Sequence, residues 1–268
     1  MLGLGGGSRQ YWHWAAYGKH PVARDYFRVG SDSPLIKAFL GWIEKGYQLL
    51  SSKQNPTSQS HAWRFWAKGA KKDSLILGVA RDSSDSIGRP YPLLIMGTGP
   101  LERWEECWDL LPLACEKTWN QIEYLSTRRF TNFRQLEDDI RIIKPPSPRW
   151  SVFNDQRARS SALGSSFHEE LSRDSREIED KVARLSKKAE FLVPFEHGPS
   201  GDVFAMAILW HSLLKDRLDS APNAIFMGGV PERTYLAVFK RSLVPIDFVR
   251  LWSAFSTDVT NGGLETRA

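Results

Sequence analysis

Three extended segments follow one another closely along the chain, at 62–69 (AWRFWAKG), 75–82 (LILGVARD) and 91–97 (YPLLIMG). The polar connections between them, AKKD and SSDSIGRP, suit turns between antiparallel neighbours. We therefore expect adjacent antiparallel strands at the centre of a sheet. A second hairpin, at 223–239, would be marginally stable alone, so its strands are predicted to join the same sheet.

Helical patterns surround these strands. A first strand is predicted at 11–18, and the next segment begins with Ser33 as N-cap and Pro34 at the first helical position, followed by apolar residues at helical spacing. Further helices are predicted in GPLERWEECWDL, LPLACEKTWNQIEYLS and TNFRQLEDDIRII, then after Asp202 as N-cap, and finally from Pro245.

The composition indicates a globular chain. Hydrophobic residues make up 41% and charged residues 25% of the 268 residues, enough for a sizeable core. The net charge of +5 rests on 36 basic against 31 acidic residues, which is weak evidence for nucleic acid, and the aromatic residues lie mostly in strand-like segments. The start lacks a leader pattern and no run of about 18 apolar residues occurs, so we expect a cytoplasmic protein without membrane insertion.

The chain is predicted to form one domain with tails. Residues 1–10 are rich in glycine and indicate a flexible tail, and residues 257–268 a C-terminal one. Residues 11–256 are assigned to a single α/β domain. Within it, about 150–190 is dense in charges of both signs and indicates an insertion that is either an exposed helix or mobile.

Cysteine and histidine spacing argues against metal or disulfide chemistry. Cys107 and Cys115 lie eight residues apart in a helical region, so we expect two reduced, unbridged thiols. The six histidines show no metal-ligand spacing. No metal, no cofactor and no catalytic residue is assigned.

Two further patterns resemble functional motifs but depart from them. Gly97-Thr98-Gly99 lacks the third glycine of a dinucleotide site, and Pro100 removes an amide donor, so a tight turn between strand and helix is expected. His197, Ser200 and Asp202 are close in sequence, whereas triad residues are normally assembled from distant segments. We interpret them as a polar loop and helix cap.

Charged residues beside strongly aromatic segments are the candidate site. An unpaired charge in such surroundings is costly, so these residues either form an ion-pair network that pins the loops or present a docking or ligand surface. Asp25 is expected within about 8 Å of Arg89 or Arg64. The candidates are Lys19, Asp25, Arg28, Arg64, Asp85 and Arg89.

The same segments resemble a known family. YGKHPVARDYF (17–27) resembles the YGKLPxxGDF opening of the TagF family of type VI secretion accessory proteins, and WRF (63–65) with SSDSIGRPYPL (83–93) resembles its next two motifs, in the same order. Arg24 stands where the family usually has glycine, and His20 where it usually has leucine. The resemblance is good over about 11–145 and weaker over 200–256.

The resemblance implies a three-layer α-β-α sandwich around a mixed, largely antiparallel sheet, which agrees with the strands and helices predicted above. It also implies a non-enzymatic role, the post-translational repression of type VI secretion by protein–protein binding, with a forkhead-associated (FHA) scaffold protein as partner. The alternative is an uncharacterised enzyme or ligand-binding protein that uses the 18–30 and 83–93 loops.

Overall fold

The structure of the chain, a computed structural model, describes residues 11–30, 33–52, 60–163, 168–195 and 203–254, with the side chains of 159–175 excepted. Its elements are β1 (His13–Gly18), β2 (Phe27–Gly30), α1 (Pro34–Ser51), β3 (Ala62–Lys68), β4 (Ser74–Arg81), β5 (Leu93–Pro100), α2 (Leu111–Thr127), α3 (Phe133–Arg141), α4 (Trp150–Leu163), α5 (His168–Leu185), β6 (Glu190–Pro194), α6 (Val203–Lys215), β7 (Ala224–Val230), β8 (Arg233–Phe239) and α7 (Pro245–Trp252).

One eight-stranded sheet, in the order β2-β1-β5-β4-β3-β7-β8-β6, runs through the molecule. The three central strands β3, β4 and β5 are antiparallel neighbours, as predicted. The β7–β8 hairpin joins them because β7 pairs with β3, placing Phe226 opposite Phe65. Every strand pairing within the described ranges is antiparallel, so the sheet is less mixed than the sequence suggested.

Helices cover both faces of the sheet, which confirms the three-layer sandwich. Successive strand residues point to opposite faces, and Phe65 accordingly packs under α1 and α7 while Trp66 packs under α2 and α6. The α1 and α7 helices approach closely at Gly46, where an added Cβ would lie 2.3 Å from the Cβ of Phe248. Ser33 caps α1 as predicted, its hydroxyl accepting a hydrogen bond from the Ile36 amide at 3.2 Å.

Two predictions around residues 97–110 were wrong. β5 continues through Gly97 and Gly99 to Pro100, because these glycines leave room for Trp14 of the neighbouring strand β1 and for Trp12, which directly precedes that strand. The helix predicted in GPLERWEECWDL (99–110) is absent; after β5 this segment forms a series of turns that ends in a 3₁₀ turn at Trp108–Leu110, since Arg103 has a φ of 58° and so lies outside the helical region.

The short strands β2 and β6 were not predicted from the sequence. The charged insertion holds α4 and α5, and α5 is not merely exposed, because Val182 is 1% exposed in the main core. Cys107 and Cys115 are free, as expected. The predicted cap at Asp202, the loop with His197 and Ser200, and both tails lie outside the described residues.

Candidate functional site

Two loops meet at one end of the sheet. They are residues 19–26, between β1 and β2, and residues 82–92, between β4 and β5; we call them the paired loops. β1 pairs with β5, with Tyr17 opposite Leu94, so the end of one strand adjoins the beginning of the other. The sheet register therefore brings together the two motifs that are separated by more than 50 residues in sequence.

Gly18 fixes the start of the first loop. Its φ is +121°, and an added Cβ would lie only 1.9 Å from the carbonyl oxygen of Pro92. Glycine alone allows this conformation together with so close a backbone approach. The glycine of the first motif is therefore required to hold the paired loops together.

Asp85 is the buried centre of the paired loops. Its residue is 2% exposed, and its Oδ1 accepts hydrogen bonds from the amides of Ile87 at 3.2 Å and Arg89 at 2.9 Å. Its Oδ2 lies 2.7 Å from Arg89 Nε and 3.1 Å from Lys19 Nζ. Burial alone would raise the pKa of this carboxyl, but the Arg89 amide, the Lys19 ammonium and the Arg89 guanidinium outweigh burial and hold the pKa well below its usual range.

Further hydrogen bonds join the loops across their backbones. The Ser86 amide donates to the Ala23 carbonyl at 2.9 Å, and Arg89 Nη2 donates to the Arg24 carbonyl at 2.8 Å. Lys19 Nζ also lies 4.7 Å from the centre of the Tyr26 ring, within cation–π range. We call the Lys19–Asp85–Arg89 network with its backbone bonds the loop floor.

Above the loop floor lies an exposed set of side chains, Arg24, Asp25, Tyr26 and Ile87, which we call the loop rim. Asp25 Oδ2 lies 3.4 Å from Arg89 Nη2, which confirms the predicted proximity of these two motifs. Both side chains are open to solvent, at 62% for Asp25 and 49% for Arg89. Ile87 is 71% and Tyr26 51% exposed, so the loop rim presents apolar surface as well as charge.

A tyrosine cluster supports the paired loops from the side of α1. The Tyr91 ring lies 4.7 Å from the rings of both Tyr26 and Tyr47 and 6.1 Å from that of Tyr17. These edge-to-face contacts are the arrangement that aromatic rings prefer. Burial raises the pKa of the Tyr91 hydroxyl, so this hydroxyl stays uncharged.

The two remaining predicted site residues lie outside this network. Arg64, on β3, forms a bidentate pair with Glu123 of α2, with both N···O distances at 2.6 Å, and its Nη2 also donates to Asn120. Arg28 lies on the edge strand β2, opposite Tyr17, with an exposed side chain. The structure thus unites Lys19, Asp25, Asp85 and Arg89 and places Arg28 and Arg64 elsewhere.

A groove of about 1050 Å³ borders the paired loops. Its walls are formed by both loops, by the last turn of α1, by residues 126–130 at the C-terminal end of α2 and just beyond it, and by Trp252 of α7. Sequence reasoning missed it because these segments are far apart in the chain. The one local signal was the polar pair Arg81-Asp82 at the end of the buried strand β4.

Asp82 and His20 form part of the groove wall. Asp82 Oδ1 accepts from Trp252 Nε1 at 2.6 Å, and its Oδ2 accepts from the His61 amide at 2.8 Å with His61 Nδ1 at 3.0 Å. His20 is 2% exposed, and its Nδ1 accepts from the Val22 amide at 3.1 Å. Burial lowers the pKa of His20, which keeps the imidazole neutral near pH 7.

Across the described ranges, no three His, Cys, Asp or Glu side chains gather in a way that could hold a metal ion. None of the helices in the part of the chain that the structure describes is long and apolar enough to cross a membrane.

The protein is an α/β sandwich. At one end of its sheet, two loops that are joined by hydrogen bonds and ion pairs lie beside a groove. Residues 15–141, which contain both loops, match the model of the TagF N-terminal domain, a type VI secretion system-associated domain. This part of the chain is therefore similar to the TagF N-terminal domain, in agreement with the motifs found in the sequence. No match to a curated protein reaches significance.

A solved structure has a similar fold. PA0076 from Pseudomonas aeruginosa PAO1 superposes with a TM-score of 0.52 over 89% of this chain and 93% of that chain, at 15% sequence identity. The similarity therefore extends beyond the TagF N-terminal domain into the second half of the chain. At this identity it establishes the shared fold.

Proposed function

We propose that this protein is a cytoplasmic, non-enzymatic repressor of type VI secretion that acts after translation by binding a partner protein through the loop rim. The observation that carries the proposal is the contrast between a fixed loop floor and an exposed loop rim, within a domain associated with type VI secretion. The expected partner is the FHA scaffold protein of the secretion system.

The loop rim has the properties of a protein-binding surface. Tyr26 and Ile87 supply apolar area, and tyrosine is enriched among the residues that dominate binding energy. Arg24 and Asp25 supply charge of both signs, which favours specificity and register. Because Asp85 and Arg89 already order the loops, little conformational entropy remains to be lost on binding.

The test is direct binding to the purified FHA scaffold protein of the same bacterium, measured by calorimetry. We expect Ile87→Asp to weaken binding by at least about tenfold, because it puts a charge into the centre of the contact. The matched control is Ile142→Asp, since Ile142 is 69% exposed at the end of α3 and lies outside the paired loops. Binding by the control should stay within about twofold of the wild type.

Two results would contradict the proposal. One is a wild-type protein that does not bind the scaffold protein; the other is equal weakening by Ile87→Asp and Ile142→Asp. In cells, overproduction of the wild-type chain should lower secretion at unchanged levels of the secretion proteins, and overproduction of Ile87→Asp should not.

A second candidate function, supported by the groove, is small-ligand binding or catalysis by the paired loops. The observations that favour this function are the groove's volume of about 1050 Å³ and the neutral His20 in the groove wall. A catalytic group must be free to exchange protons with a substrate. Asp85 is held by four hydrogen-bond donors and Asp82 by three, so neither carboxylate is available as a general base.

A further inference from the structure

The groove beside the paired loops carries more positive than negative charge. Arg81, Arg128 and Arg129 line it, with Asp82 as the acidic residue among its lining. The carboxylate of Asp82 is already engaged by Trp252 and His61. These hydrogen bonds partly compensate its charge within the wall, and the guanidinium groups outnumber it along the groove.

Within the described part of the chain, two of these arginines have no acidic partner. Arg81 donates to neutral oxygens, the Asp82 carbonyl at 3.5 Å and Ser126 Oγ at 3.4 Å, both at the long limit for hydrogen bonds. Arg129 is exposed. Among the residues that the structure describes, no carboxylate forms an ion pair with either of them, whereas the neighbouring Arg128 pairs with Asp139 at 2.7 Å.

The rest of the groove wall combines hydroxyl and apolar groups. Ser83, Ser84 and Thr127 add polar oxygens, and Val22, Leu50 and Phe130 add apolar surface. A ligand that suits this wall has several separated negative charges and apolar side chains between them. The groove is also open to solvent, and its volume of about 1050 Å³ lies at the upper end of the usual range of small-molecule pockets, so it has room for a chain segment.

We propose that this groove binds an acidic, partly apolar peptide segment of the partner protein, with carboxylates on Arg81 and Arg129. The inference rests on the proposed function and deepens it, because it adds a second contact surface next to the loop rim. Carboxylate–guanidinium pairs are charge-assisted and frequently bidentate, which fixes the position of the peptide as well as adding affinity. The partner's segment thus contains at least two Asp or Glu residues.

The test uses two fluorescein-labelled peptides, Glu-Leu-Glu-Glu-Leu-Glu and its neutral counterpart Gln-Leu-Gln-Gln-Leu-Gln, and measures fluorescence anisotropy. We expect the full chain to bind the acidic peptide at least about tenfold more tightly than the neutral one. Arg81→Gln and Arg129→Gln should each weaken binding of the acidic peptide by about fivefold or more. The matched control is Arg217→Gln, because Arg217 is exposed beyond α6 and lies outside the groove.

The inference is overturned if the acidic peptide does not bind, if Arg217→Gln weakens binding as much as Arg81→Gln, or if 10 mM inorganic phosphate displaces the peptide as effectively as excess unlabelled peptide. The last result would indicate a site for small anions. Binding of the FHA scaffold protein separates the two proposals. If Arg81→Gln and Arg129→Gln leave that binding unchanged while Ile87→Asp abolishes it, the groove inference fails and the proposed function stands.

Discussion

The loop floor and the loop rim use the same arginine in opposite ways. Arg89 Nε donates to Asp85, whose side chain is 0% exposed, while its Nη2 faces Asp25, whose side chain is 62% exposed. One ion pair lies inside the protein and the other lies in water. The free energy of an ion pair depends strongly on that difference.

Within one motif region, replacements in the loop floor and in the loop rim should therefore affect different properties, stability in the first case and partner binding in the second. Replacing a member of the loop floor leaves a buried charge without its partner, so it damages the fold whatever the protein binds. Replacing a member of the loop rim leaves only solvated groups behind and should change partner binding alone. Stability and binding measurements on the same variants therefore test the comparison directly.

The largest effect is expected for Asp85→Ala. This change leaves the Lys19 ammonium buried, with its side chain 5% exposed, and removes the acceptor for the Ile87 and Arg89 amides. We expect the melting temperature, measured by circular dichroism at pH 7, to fall by about 6–12 °C. A fall of less than about 3 °C would contradict the structural role of the loop floor.

The pH dependence of the same variant provides a second prediction. Because the pKa of Asp85 is lowered in the folded protein, its stabilisation is present above the unfolded-state value of about 4 and is lost as the pH falls through and below that value. The difference in melting temperature between the wild type and Asp85→Asn should therefore be constant from about pH 8 to pH 5. It should shrink below about pH 4. Because the folded-state pKa lies far below the unfolded-state value, part of the difference remains at pH 3, and a difference that has not shrunk at all by pH 2 would contradict the assignment.

Two glycines of the paired loops give the third prediction. Gly18→Ala should lower the melting temperature by about 5–10 °C, because the new Cβ meets the Pro92 carbonyl oxygen at 1.9 Å in addition to backbone strain. Gly88 has a φ of +84° but no atom within 4 Å of an added Cβ. In Gly88→Ala only the backbone strain applies, so the melting temperature should fall by about 2–4 °C. Equal losses for the two variants would show that the close approach at Gly18 contributes nothing.

The antiparallel neighbours β3, β4 and β5 were predictable from the sequence, because short polar connections leave few alternatives, whereas the β1–β5 and β3–β7 pairings were not predicted. The errors lie where tertiary packing decided. Gly97 and Gly99 resemble turn residues in isolation, yet they are strand residues, because Trp14 of β1 and Trp12, which directly precedes β1, fill the space beside them. β2 and β6 are edge strands of four and five residues, too short to give a clear alternation.

The candidate site was predictable to the extent that its residues lie in continuous motifs. The link between Asp25 and Arg89 followed from the cost of unpaired charge beside aromatic segments. Arg64 was assigned to the same network by the same argument, but its partner Glu123 lies on α2, and no local pattern indicates that contact. The groove was not predictable, because its walls join segments from residue 20 to residue 252.

The smallest effect on stability, and the sharpest test of the comparison, is expected for Asp25→Ala. Asp25 contacts Arg89 Nη2 at 3.4 Å in solvent, and Arg89 keeps its bonds to Asp85 and to the Arg24 carbonyl when that contact is removed. An exposed ion pair contributes about 1 kcal/mol or less, so the melting temperature should fall by less than about 3 °C. Binding of the FHA scaffold protein should nevertheless weaken, because the charge at the loop rim has changed. If Asp25→Ala destabilises the protein as much as Asp85→Ala, the loop rim is part of the structural network and the distinction between the two regions fails.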